Sequence, residues 1–326
     1  MEMMLKLPSR RDFVALAAAF GVQGALASAQ TPAALPSIRV ASAPDEDILA
    51  TLWAIQSGIF KKRGLDVDLR LSNSGAAVAA AVIGRSIDIG KSSMFSLIAA
   101  HLRGVPIQLI AAAAVYDTNI PTVGLLVKKD SPIRTAADLN GKTISVQSLN
   151  DQYAVAVKAW VDQHGGDSTT LRFLELPNSA AAQAIDAGRV DAAATTNPIL
   201  SEAIATGTVQ SIAHPFDGIG RYFIQAAYFC TTDHAAANRD TVERFGRAID
   251  ESSAYVNTHH AQTATVLADF TKVPLDVVQH MTRTELTAKI DPAGVQPVID
   301  SAFKYKSIER AFDAKDMIAP FMLRAS

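Results

Sequence analysis

Hydrophobic and polar positions along this chain follow two alternating periods. Val67, Leu69 and Leu71 alternate with polar residues, which is typical of a β-strand with one covered face. Between positions 49 and 60, apolar side chains recur at intervals of three and four, the spacing of an amphipathic helix. Residues 107–115 are apolar apart from Gln108, which favours a parallel strand buried on both faces.

The alternation of strand and helix occurs twice, on either side of a break near 120–128. Helices are predicted between the strands, and the remainder after 231 is predicted to be mainly helical. Such alternation indicates an α/β fold with parallel layers, and two similar sets indicate two lobes. The predicted strands are 38–43, 67–71, 87–90, 107–115, 142–147, 171–176, 190–194 and 223–231.

Residues 1–29 have the organisation of a cleavable signal peptide. Arg10 and Arg11 precede an apolar segment at 13–26, and Ala27-Ser28-Ala29 fits a small-residue cleavage site. The alternative, an amphipathic first helix, needs a polar face that this segment lacks. The arginine pair favours twin-arginine export, so we expect a periplasmic protein. No later apolar run approaches the roughly 20 residues of a membrane span, and no direct membrane insertion is expected.

Composition narrows the possible partners and sites. The 326 residues include 49% hydrophobic residues, enough for a sizeable core, and carry a formal net charge of −2. Because near-neutral charge offers no field for a polyanion, nucleic acid is not an expected partner. The single cysteine, Cys230, excludes an intramolecular disulfide framework and multi-cysteine metal sites. It follows an apolar run and is predicted to be buried and inert.

Familiar catalytic and metal motifs are not found. Residues 84–92 (GRSIDIGKS) suggest a phosphate-binding loop, but five residues separate the glycines where that motif needs four. His259 and His260 point apart on a helix, so they cannot share a metal ion. A G-x-S-x-G elbow is also missing from the sequence. The sequence therefore predicts no cofactor, no metal and no catalytic residue.

Polar segments follow predicted strands and precede predicted helices at five places. Ser, Asn and Asp are preferred N-caps, so each segment could serve only to start its helix. The carboxyl ends of parallel strands, however, meet at the edge where open α/β sheets bind ligands. Helix N-termini there would also present unpaired N–H groups. The five segments are 45–47, 73–75, 91–93, 148–152 and 195–197.

Four stretches resemble the solute-binding proteins of the nitrate, sulfonate, taurine and thiamine-precursor ABC transporters. They occur in the family's order and spacing over about 38–321 of the chain. The resemblance implies a two-lobed type II periplasmic binding protein fold. In that fold each lobe is a parallel-dominated sheet flanked by helices, and a small solute binds in the cleft between the lobes. The four stretches are 58–67 (GIFKKRGLDV), 73–90 (NSG with GRSIDIG), 130–142 (DSPI with DLNGK) and 187–192 (AGRVDA).

The resemblance also implies the lobe bounds and the partners. With chain crossings placed near 121–128 and 222–227, the first lobe combines 37–123 with 227–326, and the second holds 124–226. An ABC permease and its ATPase are the implied protein partners. The binding protein itself is expected to be a monomer.

Departures from the family pattern bear on the ligand. Thr196 stands where many relatives have tryptophan, which widens the pocket or makes it more polar. Lys91 stands where relatives often have a small or amide residue; it could meet an anionic group, but exposure to solvent is expected. Arg221 is the best candidate for a residue that binds an anionic ligand. If Asp45 or Asp47 faces the cleft, an amine or a ligand with several hydroxyls is favoured over nitrate.

The predicted function is capture of a small polar organic solute (a sulfonate, carboxylate, amine or pyrimidine-like compound) in the periplasm for delivery to the permease. Alternatives are an exported ligand sensor and an enzyme of thiamine-precursor synthesis, whose cysteine-rich motif this chain lacks. Tyr116 is included in the site, although core packing explains it equally well. The predicted ligand-binding residues are Asp45, Asp47, Ser74, Gly75, Ser92, Ser93, Tyr116, Ser148, Asn150, Asp151, Gln152, Thr196, Asn197 and Arg221.

Overall fold

The structure, a computed structural model, describes residues 35–43, 45–72, 75–149 and 151–323. The predicted signal peptide and the predicted site residues Ser74 and Asn150 lie outside the described residues. Within these ranges, no helix combines the length and the apolar character needed to cross a membrane.

Eleven strands occur in the described ranges. They are β1 (Ser37–Ser42), β2 (Asp66–Leu71), β3 (Ile89–Ser93), β4 (Ile107–Asp117), β5 (Val123–Lys128), β6 (Thr143–Val146), β7 (Arg172–Glu175), β8 (Ala192–Thr196), β9 (Val209–Ser211), β10 (Tyr222–Thr231) and β11 (Glu285–Leu286). All eight predicted strands are present with bounds shifted by a few residues. Because β3 and β8 extend further than predicted, Lys91 and Thr196 lie in strands rather than in loops.

Twelve α-helices accompany the strands in the described ranges. They are α1 (Leu49–Gln56), α2 (Ile59–Lys62), α3 (Gly75–Ile83), α4 (Met94–Leu102), α5 (Gln152–Gln163), α6 (Ala181–Asp186), α7 (Ile199–Ala205), α8 (Thr232–Ala237), α9 (Arg239–Thr258), α10 (His260–Thr271), α11 (Leu275–His280) and α12 (Pro292–Lys304).

The strands form two mixed sheets. The first has the order β11-β4-β10-β3-β1-β2, and the second has the order β7-β6-β8-β5-β9. In the first, β1 is parallel to β2 and β3, whereas β10 is antiparallel to both β3 and β4. In the second, β6 is parallel to β7 and β8, whereas β5 is antiparallel to β8 and β9.

One prediction about strand direction is therefore wrong. Residues 107–115 were expected to form a parallel strand, but β4 runs antiparallel to its neighbours β10 and β11. Apart from Gln108, residues 107–115 are apolar because both faces of β4 are covered, as the buried Leu109 and Ile110 on opposite faces show. An apolar run reports burial on both faces and carries no information about strand direction.

The chain passes between the sheets twice. It leaves the first sheet at the end of β4 and enters the second at Val123, the first residue of β5. It returns with β10, whose first residue Tyr222 pairs with Asp117. Residues 222–226 thus belong to the first sheet, although the sequence assigned them to the second lobe.

Each sheet has helices on both faces. Core residues of α1 and α9 pack on one face of the first sheet, and those of α4 and α12 pack on the other. In the second sheet, α5 covers one face while α6 and α7 cover the other. Since both faces of each sheet are covered, the polar segments where strands end and helices begin are the places left for a ligand.

Candidate functional site

An ion cluster lies at the carboxyl ends of β1 and β3. The Lys91 ammonium is paired with Asp47 and lies 3.5 Å from Oδ2 of Asp45. The Lys91 side chain is 2% exposed, so the prediction that it faces solvent is wrong. Burial disfavours its charge, but the two carboxylates outweigh burial and raise the pKa of Lys91. The lysine is therefore a charged, internally paired group.

The two aspartates of this cluster are not equivalent. Asp47 is 13% exposed, whereas Asp45 is 45% exposed. Asp45 stands at the N-cap position of a 3-10 helix at Glu46–Ile48, but its side chain makes no capping hydrogen bond there. The structural explanation for an aspartate at this position, helix capping, thus does not hold for Asp45.

A second, fully buried ion pair anchors the acidic segment. Glu46 is 3% exposed and accepts hydrogen bonds from Arg283 Nε at 2.6 Å and from Thr284 Oγ1 at 2.8 Å. Arg283 is itself 7% exposed and follows α11. This pair holds the segment that carries Asp45 and Asp47 in place, because both partners are buried and charge-matched.

The start of α5 forms the second-sheet side of the site. Asp151 accepts hydrogen bonds from the N–H groups of Ser148, Tyr153 and Ala154 at 2.9, 2.8 and 3.2 Å. It is therefore an N-cap, as the structural explanation predicts. Burial raises the pKa of Asp151 to about 7, although these hydrogen bonds act in the opposite direction.

Tyr153 lies in the first turn of α5, next to Gln152. Its ring packs against Phe216 with centroids 5.2 Å apart. Burial raises the pKa of its hydroxyl, and the charges of Asp45 and Asp47 add to that effect. Tyr153 was not among the predicted site residues, but its position next to Asp151 and Gln152 was an available signal.

Buried polar atoms without partners occur on both sides. Ser92 Oγ and Gln152 Oε1 have no hydrogen-bond partner among the described residues, although the two residues are only 3% and 6% exposed. A Cβ at Gly75 would collide with Ser92 Oγ, so the glycine leaves room for this hydroxyl at the start of α3. Unpaired buried polar groups are costly, which indicates that a molecule outside the chain pairs with them.

Two further predicted residues have structural roles. Ser93 caps α4 by accepting a hydrogen bond from the N–H of Ser96 at 3.3 Å. Asn197 accepts hydrogen bonds from the backbone and hydroxyl of Ser201 and donates to the Thr282 carbonyl at 2.7 Å. The Asn197 contact joins the end of the second sheet's β8 to the segment after α11.

Tyr116 and Arg221 have other partners in the structure. Tyr116 is 1% exposed, donates a hydrogen bond to Asp217 at 2.8 Å and packs against Phe216 and Phe223. Core packing is thus the explanation that the structure supports for Tyr116. Arg221 is exposed, and its carbonyl accepts a hydrogen bond from the N–H of Thr118.

Neither metal binding nor cysteine chemistry finds support in the described ranges. They hold no group of three or more His, Cys, Asp or Glu residues placed to bind a metal ion. Cys230 is buried, as predicted, and burial raises the pKa of its thiol to about 12. A thiol with this pKa is protonated at neutral pH and is a poor nucleophile.

Two helix-covered sheets with polar residues at facing strand ends define the periplasmic binding protein class. The periplasmic aliphatic sulphonate binding protein SsuA of Escherichia coli has the same fold, with a TM-score of 0.74, 20% identity and coverage of 87% of this chain and 92% of that chain. The chain belongs to the family described as NMT1/THI5 like, whose model matches residues 45–263. The predicted fold and family are both confirmed.

Two other similar proteins differ in what they do. The "Putative aliphatic sulfonates-binding protein" of Escherichia coli (strain K12) is 25% identical over 193 residues, which are 59% of this chain. The match spans 58% of that relative's length. The desulfurization enzyme DSZB has the same fold at a TM-score of 0.66 and 15% identity, with coverage of 89% of this chain and 98% of that chain. The fold therefore serves both binding and catalysis.

Proposed function

We propose that this protein is the solute-binding component of an ABC importer. It captures a small polar organic solute in the periplasm, between the first and second sheets, and delivers it to a permease. Family membership and the sulfonate-binding relative support a solute-binding role. The observation that carries the proposal is the pair of buried atoms without partners, Ser92 Oγ on one side and Gln152 Oε1 on the other.

A solute held by both sides links binding to closure. A ligand shifts an open–closed equilibrium only by the difference between its affinities for the two states. A solute that pairs with Ser92 and Gln152 together contacts both sides only when they are close, so it favours the closed state. The permease can then distinguish loaded from empty protein by shape.

No described feature favours an enzyme. The thiol of Cys230 is buried with a raised pKa, the charged groups of the site are paired as caps and ion pairs, and the Ser92 hydroxyl has no base as a hydrogen-bond partner among the described residues. We therefore propose binding without chemistry.

Thermal-shift measurements on the purified protein test this function. The panel contains sulfonates, carboxylates, amines, pyrimidines and nitrate. A solute at 100 times its Kd should stabilise the protein by about 2.7 kcal/mol. That corresponds to a rise in Tm of about 4 °C at this chain length.

A matched pair of glutamine variants tests whether the solute binds at Gln152. Gln152→Ala should weaken binding of the solute found about 10-fold, because a buried hydrogen bond to the ligand is lost. Gln262→Ala, on the exposed face of α10, should leave it within twofold. If no solute of the panel stabilised the protein, the proposed function would be contradicted. Equal effects of the two substitutions would contradict the proposed site.

A further inference from the structure

We propose that the captured solute carries a cationic, hydrogen-donating group such as a primary ammonium or an amidinium, and that Asp45 is the residue that binds it. This inference rests on the proposed function and names the chemical class of its solute. It is argued from the charges in the site, from the exposure of Asp45, and from the kind of unpaired atom found at the start of α5.

The charges in the cluster do not cancel. Two carboxylates, of Asp45 and Asp47, share the one ammonium of Lys91. The neighbouring pair of Glu46 and Arg283 is matched one to one and adds no net charge. The described part of the chain therefore holds one negative charge in excess at this point.

The basic groups of this region are already paired with carboxylates. Lys91 is 2% exposed and paired with Asp47, and Arg283 is 7% exposed and bound to Glu46. A sulfonate or nitrate would have to compete with these carboxylates for buried cations. Breaking such a pair leaves a buried charge uncompensated and costs several kcal/mol. The site thus offers an anion no available partner among these residues.

Asp45 is the carboxylate that remains open to a ligand. Its 3.5 Å distance to Lys91 is long for a charge-assisted hydrogen bond, and its side chain is 45% exposed. It also makes no capping hydrogen bond. Its charge is among the causes that raise the pKa of the Tyr153 hydroxyl, and Tyr153 lies in the first turn of α5.

The unpaired atom across the site requires a donor. Gln152, the residue next to Tyr153, leaves its amide oxygen Oε1 without a partner, and an amide oxygen only accepts hydrogen bonds. A carboxylate likewise only accepts. The Ser92 hydroxyl can donate or accept. An ammonium or amidinium supplies both the donors and the positive charge, whereas a sulfonate supplies only acceptors.

Matched probes separate the ligand classes. Isothermal titration of the purified protein compares n-butylamine with 1-butanesulfonate, and benzylamine with phenylmethanesulfonate. Each pair shares a carbon skeleton and differs in the charge of the head group. We expect both amines to bind at least tenfold more tightly than their sulfonates. A preference for the sulfonates, or binding of neutral solutes alone, would overturn the cationic class while leaving solute binding intact. Absence of binding by every class in the broader panel would instead defeat the proposed function.

Removal of one carboxylate tests whether Asp45 binds the cationic group of the solute. Asp45→Asn should weaken amine binding about 10–100-fold, because a charge-assisted hydrogen bond is lost. The pair of Lys91 with Asp47 remains in this variant, so the fold should survive, and an unchanged Tm of the free protein verifies that. Asp130→Asn removes the same charge from a residue that is 78% exposed and should change amine binding less than twofold. Equal effects of the two substitutions would exclude Asp45 as the binding residue.

Discussion

The two sides of the site satisfy their polar groups in different ways. On the first-sheet side, Lys91 is held by carboxylates 44 and 46 residues away in the sequence. On the second-sheet side, Asp151 bonds to N–H groups within three residues of itself, while Gln152 leaves its amide oxygen unpaired. The first-sheet side therefore carries charged groups that the fold brings together from distant parts of the sequence. The second-sheet side combines a local helix cap with an unpaired hydrogen-bond acceptor.

This difference suggests a division of roles. Charges fixed by long-range pairs need no rearrangement when a ligand arrives, so they can select its charge at little cost. A neutral atom such as Gln152 Oε1 gains its partner only when a ligand reaches it. Substitutions on the first side should therefore affect stability and ligand charge, and those on the second should affect pH dependence and affinity.

The largest expected effect is loss of the buried lysine. Lys91→Met leaves Asp47, 13% exposed, without its cation. Removing one partner of a buried pair should lower the free energy of unfolding by about 3–5 kcal/mol, as measured by urea denaturation. The loss should be smaller at pH 4, because the remaining carboxylates can then take up protons.

A surface lysine provides the control for this substitution. The ammonium of Lys128, 51% exposed, lies 4.0 Å from Asp130. Lys128→Met should change the stability by less than about 0.5 kcal/mol. If the two methionine variants were equally stable, the Lys91 cluster would contribute nothing to the fold. Should Lys91→Met fail to fold, the double variant with Asp47→Asn should recover folding, because it restores neutrality.

The next effect concerns pH and the second-sheet side. Burial raises the pKa of Asp151 to about 7 in the folded state, against an ordinary value near 3.9. Between these values the folded protein binds more protons than the unfolded chain, so stability should fall as the pH rises from about 4 to 7. The decrease amounts to about 4 kcal/mol at most, since each unit of pKa corresponds to about 1.36 kcal/mol.

Asparagine at position 151 can still cap α5 but cannot titrate. Asp151→Asn should therefore remove this decrease and make the protein more stable than the wild type at pH 8. The control is Asp167→Asn, because hydrogen bonds from Thr169 lower the pKa of that exposed aspartate. This control should leave the decrease between pH 4 and 7 in place. An unchanged slope in Asp151→Asn would show that another group is responsible.

The order of elements and the family could be predicted because their signals are local. Periodicity within 49–60 identifies a helix from residues that touch each other, and the cap at Asp151 is visible because its N–H partners lie within three residues. The family stretches, such as 130–142, are likewise short and contiguous. Predictions of this kind held to within a few residues.

Features that depend on distant partners could not be predicted. The burial of Lys91 follows from Asp45 and Asp47, which lie on another element, and an isolated lysine in a polar segment gives no sign of them. The antiparallel direction of β4 depends on β10, more than 100 residues later. The hydrogen bond of Tyr116 to Asp217 is equally remote in sequence and decides between core and ligand contact.

The smallest expected effect separates two tyrosines that differ mainly in what surrounds their hydroxyls. Tyr153→Phe removes a buried hydroxyl whose pKa the charge of Asp45 helps to raise. Tyr116→Phe removes one that donates to Asp217 at 2.8 Å. Tyr116→Phe should lower the free energy of unfolding by about 1 kcal/mol, the typical value of one hydrogen bond, and Tyr153→Phe by no more than that.

Ligand binding should distinguish the two variants where stability does not. Since Tyr153 lies on α5 next to Gln152, and the charges of Asp45 and Asp47 act on its hydroxyl, its loss should weaken amine binding several-fold in isothermal titration. Tyr116→Phe should leave it within twofold, because that hydroxyl is bonded inside the core. A larger effect of Tyr116→Phe would place the solute beside β4 instead. The excess charge of Asp45 would then lie outside the binding site, and the contrast between the two sides would concern stability alone.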